Sequence, residues 1–191
     1  AGVGDSPDRE KKNNGPVENA DELIAGLKAA GEKGPYVFVG WSYGGVVSLV
    51  AAEKADSHTA AKPDDLAGLV LVDGSLPDEY RTIDTSGWEE GGENLNMAAA
   101  EPVIHKLKLD NTPLIVLEAG EPLSDATDEQ HKEQGMKQLA TMSTNSVLAV
   151  VDDASHIIPV DNPSSIVEAI NAVLRSAREA QSSLGTCTNI F

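Results

Sequence analysis

Apolar residues in this chain gather into short unbroken runs, separated by longer stretches in which they recur at helical spacing. Tyr36-Val37-Phe38-Val39, Leu66 to Val72 (LAGLVLV), Pro113 to Leu117 (PLIVL) and Ser146 to Val151 (SVLAVV) are rich in β-branched and large apolar residues. Runs of that length and composition predict parallel strands, the first two of them buried. Ahead of the first run, Ala20, Leu23, Ile24, Leu27 and Ala30 follow a helical repeat, with Asn19 placed to cap the helix and Gly31 to end it. Gly45 to Ala52 carries Val46, Val47, Leu49, Val50 and Ala51, which leaves little polar face and predicts a buried helix. Ala126 to Met142 reads as a polar helix. Asn162 caps and Pro163 opens a last helix, with Ile166, Ile170, Val173 and Leu174 turned to the core. Strands that alternate with helices imply an α/β class: a mostly parallel, doubly wound sheet with right-handed crossovers.

The remaining stretches lack this periodicity. Ala1 to Val17 is polar, with Gly2, Gly4, Pro7, Gly15 and Pro16, and reads as loop. His58 to Asp65 is a polar loop containing Pro63. Ser75 to Asn111 breaks the rhythm with Pro77, Trp88, Gly91, Gly92 and many acids, and holds a weak helix between Asn94 and Leu107. Gln181 to Phe191 loses the pattern and reads as a frayed end. The expected organisation is one domain over residues 1–181 and a disordered tail over 182–191.

One junction carries chemistry. The first strand runs directly into Gly40-Trp41-Ser42-Tyr43-Gly44, with G-x-S-x-G spacing, and then into the buried helix. A serine on a sharp strand-to-helix turn is held at the carboxyl end of a strand. The flanking glycines suit close approach because they lack a Cβ, and the helix N-terminus behind the hydroxyl favours negative charge developing there. A serine hydroxyl becomes a good nucleophile only when a base removes its proton. His156 fits that base, since it follows the fourth strand and precedes a capped helix, at the sheet edge that holds Ser42. His58, His105 and His131 lack that strand-end setting and read as surface residues.

At these residues the chain resembles the α/β-hydrolase family. AGVGDSPD, the amphipathic helix and GPYVFVG-WSYGG resemble the family's central segment, and VLVDGSLPD and DASHIIPVDNP its later ones, so that the likeness runs from Ala1 to about Arg178. The nearest subgroup is that of the capped esterases, epoxide hydrolases and proline iminopeptidases. The resemblance implies a partial α/β-hydrolase fold. The family's first strands have no counterpart ahead of Ala1, so the chain looks like an incomplete domain. Where the family inserts a cap or lid, residues 75–111 would form a short lid or a plain long loop. In this fold the order of functional residues is serine, acid, histidine. The acid orients the imidazole and stabilises the imidazolium. The family's usual acid follows the third of the runs above, which makes Asp125 the first choice and Glu121 the second; Asp73, at the end of the second run, is the other position used. The backbone N–H of Tyr43 would supply one oxyanion donor, and the second belongs to a loop with no counterpart here.

Composition narrows the partners. A formal net charge of −17 argues against nucleic acid or an anionic membrane, since both would be repelled. The single cysteine, Cys187, permits no internal disulfide, which excludes a disulfide-stapled secreted module and favours the cytoplasm. No apolar run approaches the ~18 residues of a membrane span. Four scattered histidines and one cysteine give no metal-ligand spacing, and no G-x-G-x-x-G follows a strand, so neither a metal nor a dinucleotide cofactor is expected. Asp78, Glu79, Asp84, Glu89, Glu90 and Glu93 crowd the 75–111 segment and would disfavour anionic substrates. The expected activity is hydrolysis of a small neutral, apolar ester, or less readily an amide, through an acyl-serine. The alternative is a catalytically incomplete, non-enzymatic relative or binding module. An open apolar edge at Tyr36 to Val39 would also favour self-association.

Overall fold

The computed structural model describes residues 15–57, 66–74, 89–90, 93–94, 97–179 and 184. The sequence expectations for Ala1 to Asn14, His58 to Asp65, most of the 75–96 segment with Asp78, Glu79 and Asp84, and the tail apart from Leu184 lie outside the described residues.

Four strands, β1 (Tyr36–Trp41), β2 (Leu66–Val72), β5 (Leu114–Ala119) and β6 (Ser146–Val151), form a parallel sheet in the order β1-β2-β5-β6. Two short strands, β3 (Glu89–Glu90) and β4 (Glu93–Asn94), pair antiparallel in a separate ribbon. The helices are α1 (Pro16–Ala29), α2 (Tyr43–Ser57), α3 (Glu101–Ile104), α4 (Ala126–Ala140), α5 (Ile158–Asp161) and α6 (Pro163–Arg178), with a 3-10 turn at Met97–Ala99.

Side-chain alternation along the strands divides the core in two. Leu69, Leu71, Leu114 and Val116 face Val46, Leu49, Val50, Ala51 and Ala52 of α2, together with Ala20 of α1 and Met136 and Leu139 of α4. Val70, Val72, Ile115 and Leu117 face the other way, onto Ala169, Ala172 and Val173 of α6 and Ile158 of α5. Helices therefore cover both faces of a sheet whose central strands β2 and β5 are continuously apolar, the reason those strands read as unbroken runs. Each fully buried leucine or valine here contributes about 1.5–3 kcal/mol.

The in-register pairs Trp41–Val72, Val72–Leu117 and Ala119–Val151 bring the carboxyl ends of all four strands to one edge. Hydrogen bonds extend that edge into the following loops: Ser42 N–H to the Val72 carbonyl (3.0 Å), Asp73 N–H to the Leu117 carbonyl (2.7 Å) and Gly120 N–H to the Val151 carbonyl (3.0 Å).

Several local expectations are corrected. The first helix starts at Pro16, with Gly15 in the capping position, because Glu18 reaches back to the Gly15 N–H. Asn19 thus sits inside α1, and its side-chain amide donates to the Tyr43 hydroxyl (2.6 Å). The weak helix expected within 94–107 is reduced to the 3-10 turn and the single turn of α3. Met97, Ala100 and Ile104 nonetheless pack into the α2 side of the core, so this end of the segment is anchored to the domain. Leu184, expected in a frayed tail, is buried among the α6-side residues and its N–H donates to Asn145 Oδ1 (2.8 Å).

Candidate active site

The turn after β1 is built by its glycines unequally. A Cβ on Gly40 would overlap the Gly44 carbonyl oxygen and lie 2.5 Å from Ser48 Oγ, so no side chain fits there. Gly44, expected to matter equally, has open space around its missing Cβ. The close approach instead involves Gly45, whose Cβ would lie 3.2 Å from the Gly74 Cα. Between them Ser42 adopts a left-handed backbone, φ 53°, a conformation that costs an ordinary residue energy. It is held there by its N–H on Val72 and by the Gly45 N–H returning to its own carbonyl (2.9 Å). The hydroxyl thereby stands at the start of α2, where the helix dipole favours negative charge. Tyr43, the first residue of α2, places its backbone N–H at the same helix end.

His156 arrives from the loop between β6 and α5. Its Nε2 lies 3.0 Å from Ser42 Oγ, and its Nδ1 lies 2.7 Å from Asp73 Oδ2. A carboxylate can only accept, so Nδ1 carries the proton and Nε2 is left to accept from the serine hydroxyl. Asp73 follows β2 directly, with a positive φ of 42°. Its side chain is 7% exposed, against 50% for His156. Its second oxygen accepts from the Ala119 N–H (3.0 Å), so both carboxylate oxygens are engaged. The arrangement is a line of hydrogen bonds from a buried carboxylate, through an imidazole, to a hydroxyl at the surface.

Asp125, the first choice for the acid, is elsewhere: it is the N-cap of α4. Its Oδ1 accepts from Thr127 N–H (2.7 Å) and Asp128 N–H (3.2 Å), and these bonds, that from Asp128 foremost, hold its carboxyl below the ordinary carboxylate range. Glu121, the second choice, is exposed, and its backbone N–H bonds the Ala154 carbonyl (2.9 Å). The carboxylate on the imidazole is Asp73. His105 and His131 are exposed, as expected for surface residues.

Three features of the site escaped the sequence reading. The indole N–H of Trp41 donates to the His156 carbonyl (2.7 Å), and the indole and imidazole centroids lie 5.3 Å apart. Ser155 donates its N–H (2.9 Å) and its hydroxyl to Asp161, which draws the His156 loop onto α5. Those bonds, the hydroxyl's first, lower the Asp161 carboxyl's affinity for protons. Glu118 on β5 is buried, and desolvation, partly offset by Lys132, pushes its carboxyl upward. The sequence puts Glu118 just after the third apolar run, whereas the structure includes it in β5. Among the described residues no group of three or more His, Cys, Asp or Glu side chains could hold a metal ion. None of the described helices is long and apolar enough to cross a membrane.

Residues 5–108 match the model of the thioesterase domain family. The chain belongs to that family. The thioesterase domain match spans Ser42 and Asp73, while His156 lies beyond it and joins them only through the fold. The chain is also 28% identical over 200 residues to the uncharacterized protein YqjL of Bacillus subtilis strain 168, across 99% of this chain and 76% of that protein. Two solved structures share the fold. A thermophilic esterase from Thermogutta terrifontis superposes with a TM-score of 0.58 at 21% identity, covering 92% of this chain and 77% of the esterase. MenH from S. aureus superposes with a TM-score of 0.57 at 13% identity, covering 93% and 81%. The four-stranded parallel sheet with helices on both faces fits part of an α/β-hydrolase fold, and membership of the thioesterase domain family supports hydrolase activity of the esterase type.

Proposed function

We propose that this thioesterase domain protein is a serine hydrolase that cleaves small, neutral carboxylic esters or thioesters through an acyl-serine intermediate. The observation that carries the reading is the spacing of three side chains: Ser42 Oγ at 3.0 Å from His156 Nε2, and His156 Nδ1 at 2.7 Å from buried Asp73. His156 takes the Ser42 proton as Oγ attacks the substrate carbonyl carbon. The tetrahedral oxyanion develops at the α2 N-terminus, within the reach of the Tyr43 N–H. As it collapses, the carbon–oxygen or carbon–sulfur bond breaks and the leaving group takes the proton from Nε2. Water then attacks the acyl-serine with His156 again as base, releasing the acid and restoring the hydroxyl. Asp73 holds the Nδ1 proton and offsets the charge on the imidazolium throughout. The net charge of −17 supports a neutral rather than anionic substrate.

The test is to treat folded protein with a serine-directed fluorophosphonate and map the adduct by mass spectrometry. A single adduct on Ser42, abolished in Ser42→Ala, is expected. An adduct on another serine, or none in a sample that melts cooperatively, overturns the reading in favour of a non-enzymatic relative.

A further inference from the structure

Trp41 is the last residue of β1 and the residue before Ser42, yet it belongs to neither apolar core and is 41% exposed. A large aromatic in that position is not there to fill the interior. Its side chain meets a residue 115 positions away: the indole N–H donates to the His156 carbonyl at 2.7 Å, and the indole and imidazole rings lie 5.3 Å apart at 38°. His156 sits on a loop that the Ser155–Asp161 pair draws onto α5, while the imidazole itself reaches Asp73 and Ser42; the Trp41 indole adds a tie from the nucleophile turn to the loop's backbone.

Resting on the serine hydrolase reading, we propose that Trp41 is a positioning residue that ties the His156 loop to the nucleophile turn and sets the distance between Nε2 and Ser42 Oγ. The logic is one of shared support. Ser42 and the anchor of its base are adjacent residues, and Trp41 pairs in register with Val72, which precedes Asp73. Hydroxyl, imidazole and carboxylate are therefore referred to the same pair of strand ends. The indole fixes the loop at two points, by a hydrogen bond to its backbone and by ring contact with the side chain. Backbone bond and ring contact together leave the imidazole little freedom to swing away, and proton transfer is steeply sensitive to such misplacement.

The experiment measures fluorophosphonate inactivation of the full chain, separated into the binding constant KI and the rate constant kinact, for Trp41→Phe and Trp41→Ala. Thermal unfolding is followed alongside. Trp41→Phe keeps an aromatic face but loses the N–H, and kinact is expected to fall about three- to tenfold, the worth of one hydrogen bond, with KI little changed. Trp41→Ala loses both contacts, and kinact is expected to fall by up to about a hundredfold. A second readout needs no reaction: the His156 Nδ1 proton, observed by NMR, is expected to broaden in both variants as the imidazole gains freedom. If Trp41→Ala fails to fold, Trp41→Phe decides. Variants that fold, react with wild-type kinact and keep a sharp Nδ1 resonance overturn the inference. If wild-type Ser42 does not react at all, the hydrolase reading fails instead, and the Nδ1 resonance alone decides whether Trp41 positions His156.

Discussion

The carboxylate of Asp73 lies 2.7 Å from the imidazole Nδ1 of His156, a residue 83 positions later in the chain. Its second oxygen takes the Ala119 N–H, so the acid is held by the sheet before it meets the histidine. Asp73→Asn keeps the shape but lets the imidazole adopt the wrong tautomer, and should slow Ser42 phosphonylation by up to about 10⁴-fold. Asp125→Asn should leave that rate within about twofold of wild type, since Asp125 caps α4 and makes no bond to His156 or Ser42. Its effect should appear in thermal unfolding, as a drop of roughly 2–4 °C at most. The two rates, measured with the same fluorophosphonate, discriminate between the acids. Equal loss in both variants would remove Asp73 from its role.

The two outer glycines of the turn should respond oppositely to alanine. Gly40→Ala forces a methyl into the Gly44 carbonyl and Ser48 Oγ, and should cost about 3 kcal/mol or more, or prevent folding. Gly44→Ala meets nothing within 4 Å and lies inside α2, so stability should change by less than about 1 kcal/mol, in the stabilising direction. Denaturant unfolding of the pair checks this.

Asp161 predicts an acid-sensitive loop. Its carboxyl is held below the ordinary value of 3.8 by the Ser155 hydroxyl and N–H. A depressed carboxylate contributes stability in full above its unfolded value and loses it as pH falls through the folded one. The advantage of wild type over Asp161→Ala should therefore be complete at pH 7 and shrink as pH drops below about 4. Melting temperatures at pH 7, 5 and 3 test the trend. A gap that widens in acid would contradict it.

Glu118 predicts the reverse sign. Burial raises its carboxyl above the ordinary value of 4.5, the neighbouring Asp73 adds to the rise, and Lys132 opposes it. The folded state then holds the Glu118 proton more tightly than the unfolded chain, so this group lowers stability as pH rises from its unfolded value through its folded one. Glu118→Gln, which removes that ionisation, should melt higher than wild type at pH 8 and equal to it near pH 4. No pH dependence in the difference would show that Glu118 ionises freely.

β1 lies at the margin of the described sheet, with Val39 42% and Trp41 41% exposed. An apolar edge strand invites pairing with another chain, and a lysine on it discourages that. The wild-type chain should self-associate in size-exclusion chromatography with light scattering, and Val39→Lys should shift it towards monomer. A monodisperse wild-type monomer would refute the expectation.

The strands were legible because each is a compact apolar run; the Leu66–Val72 and Ser146–Val151 runs coincide with β2 and β6. Ser42 and His156 were legible because a tight turn and a strand-end loop leave local marks. The acid was not, because both β2 and β5 lead into carboxylates and only loop geometry selects between them. Asp73 adjoins its strand, whereas the chain beyond Ala119 carries Asp125 on to the start of α4. Trp41 was beyond sequence reasoning for a simpler reason: its partner is 115 residues away, and an aromatic beside a buried strand looks like core.

The Ala119 amide that bonds Asp73 Oδ1 makes the sheet itself a gauge of the acid. Its proton should exchange slowly while the carboxylate stays seated, and faster once Asp73 turns away or is replaced. Deuterium uptake at one amide on β5 would thus follow the state of the site without a substrate, an inhibitor or a label on any of the reacting groups.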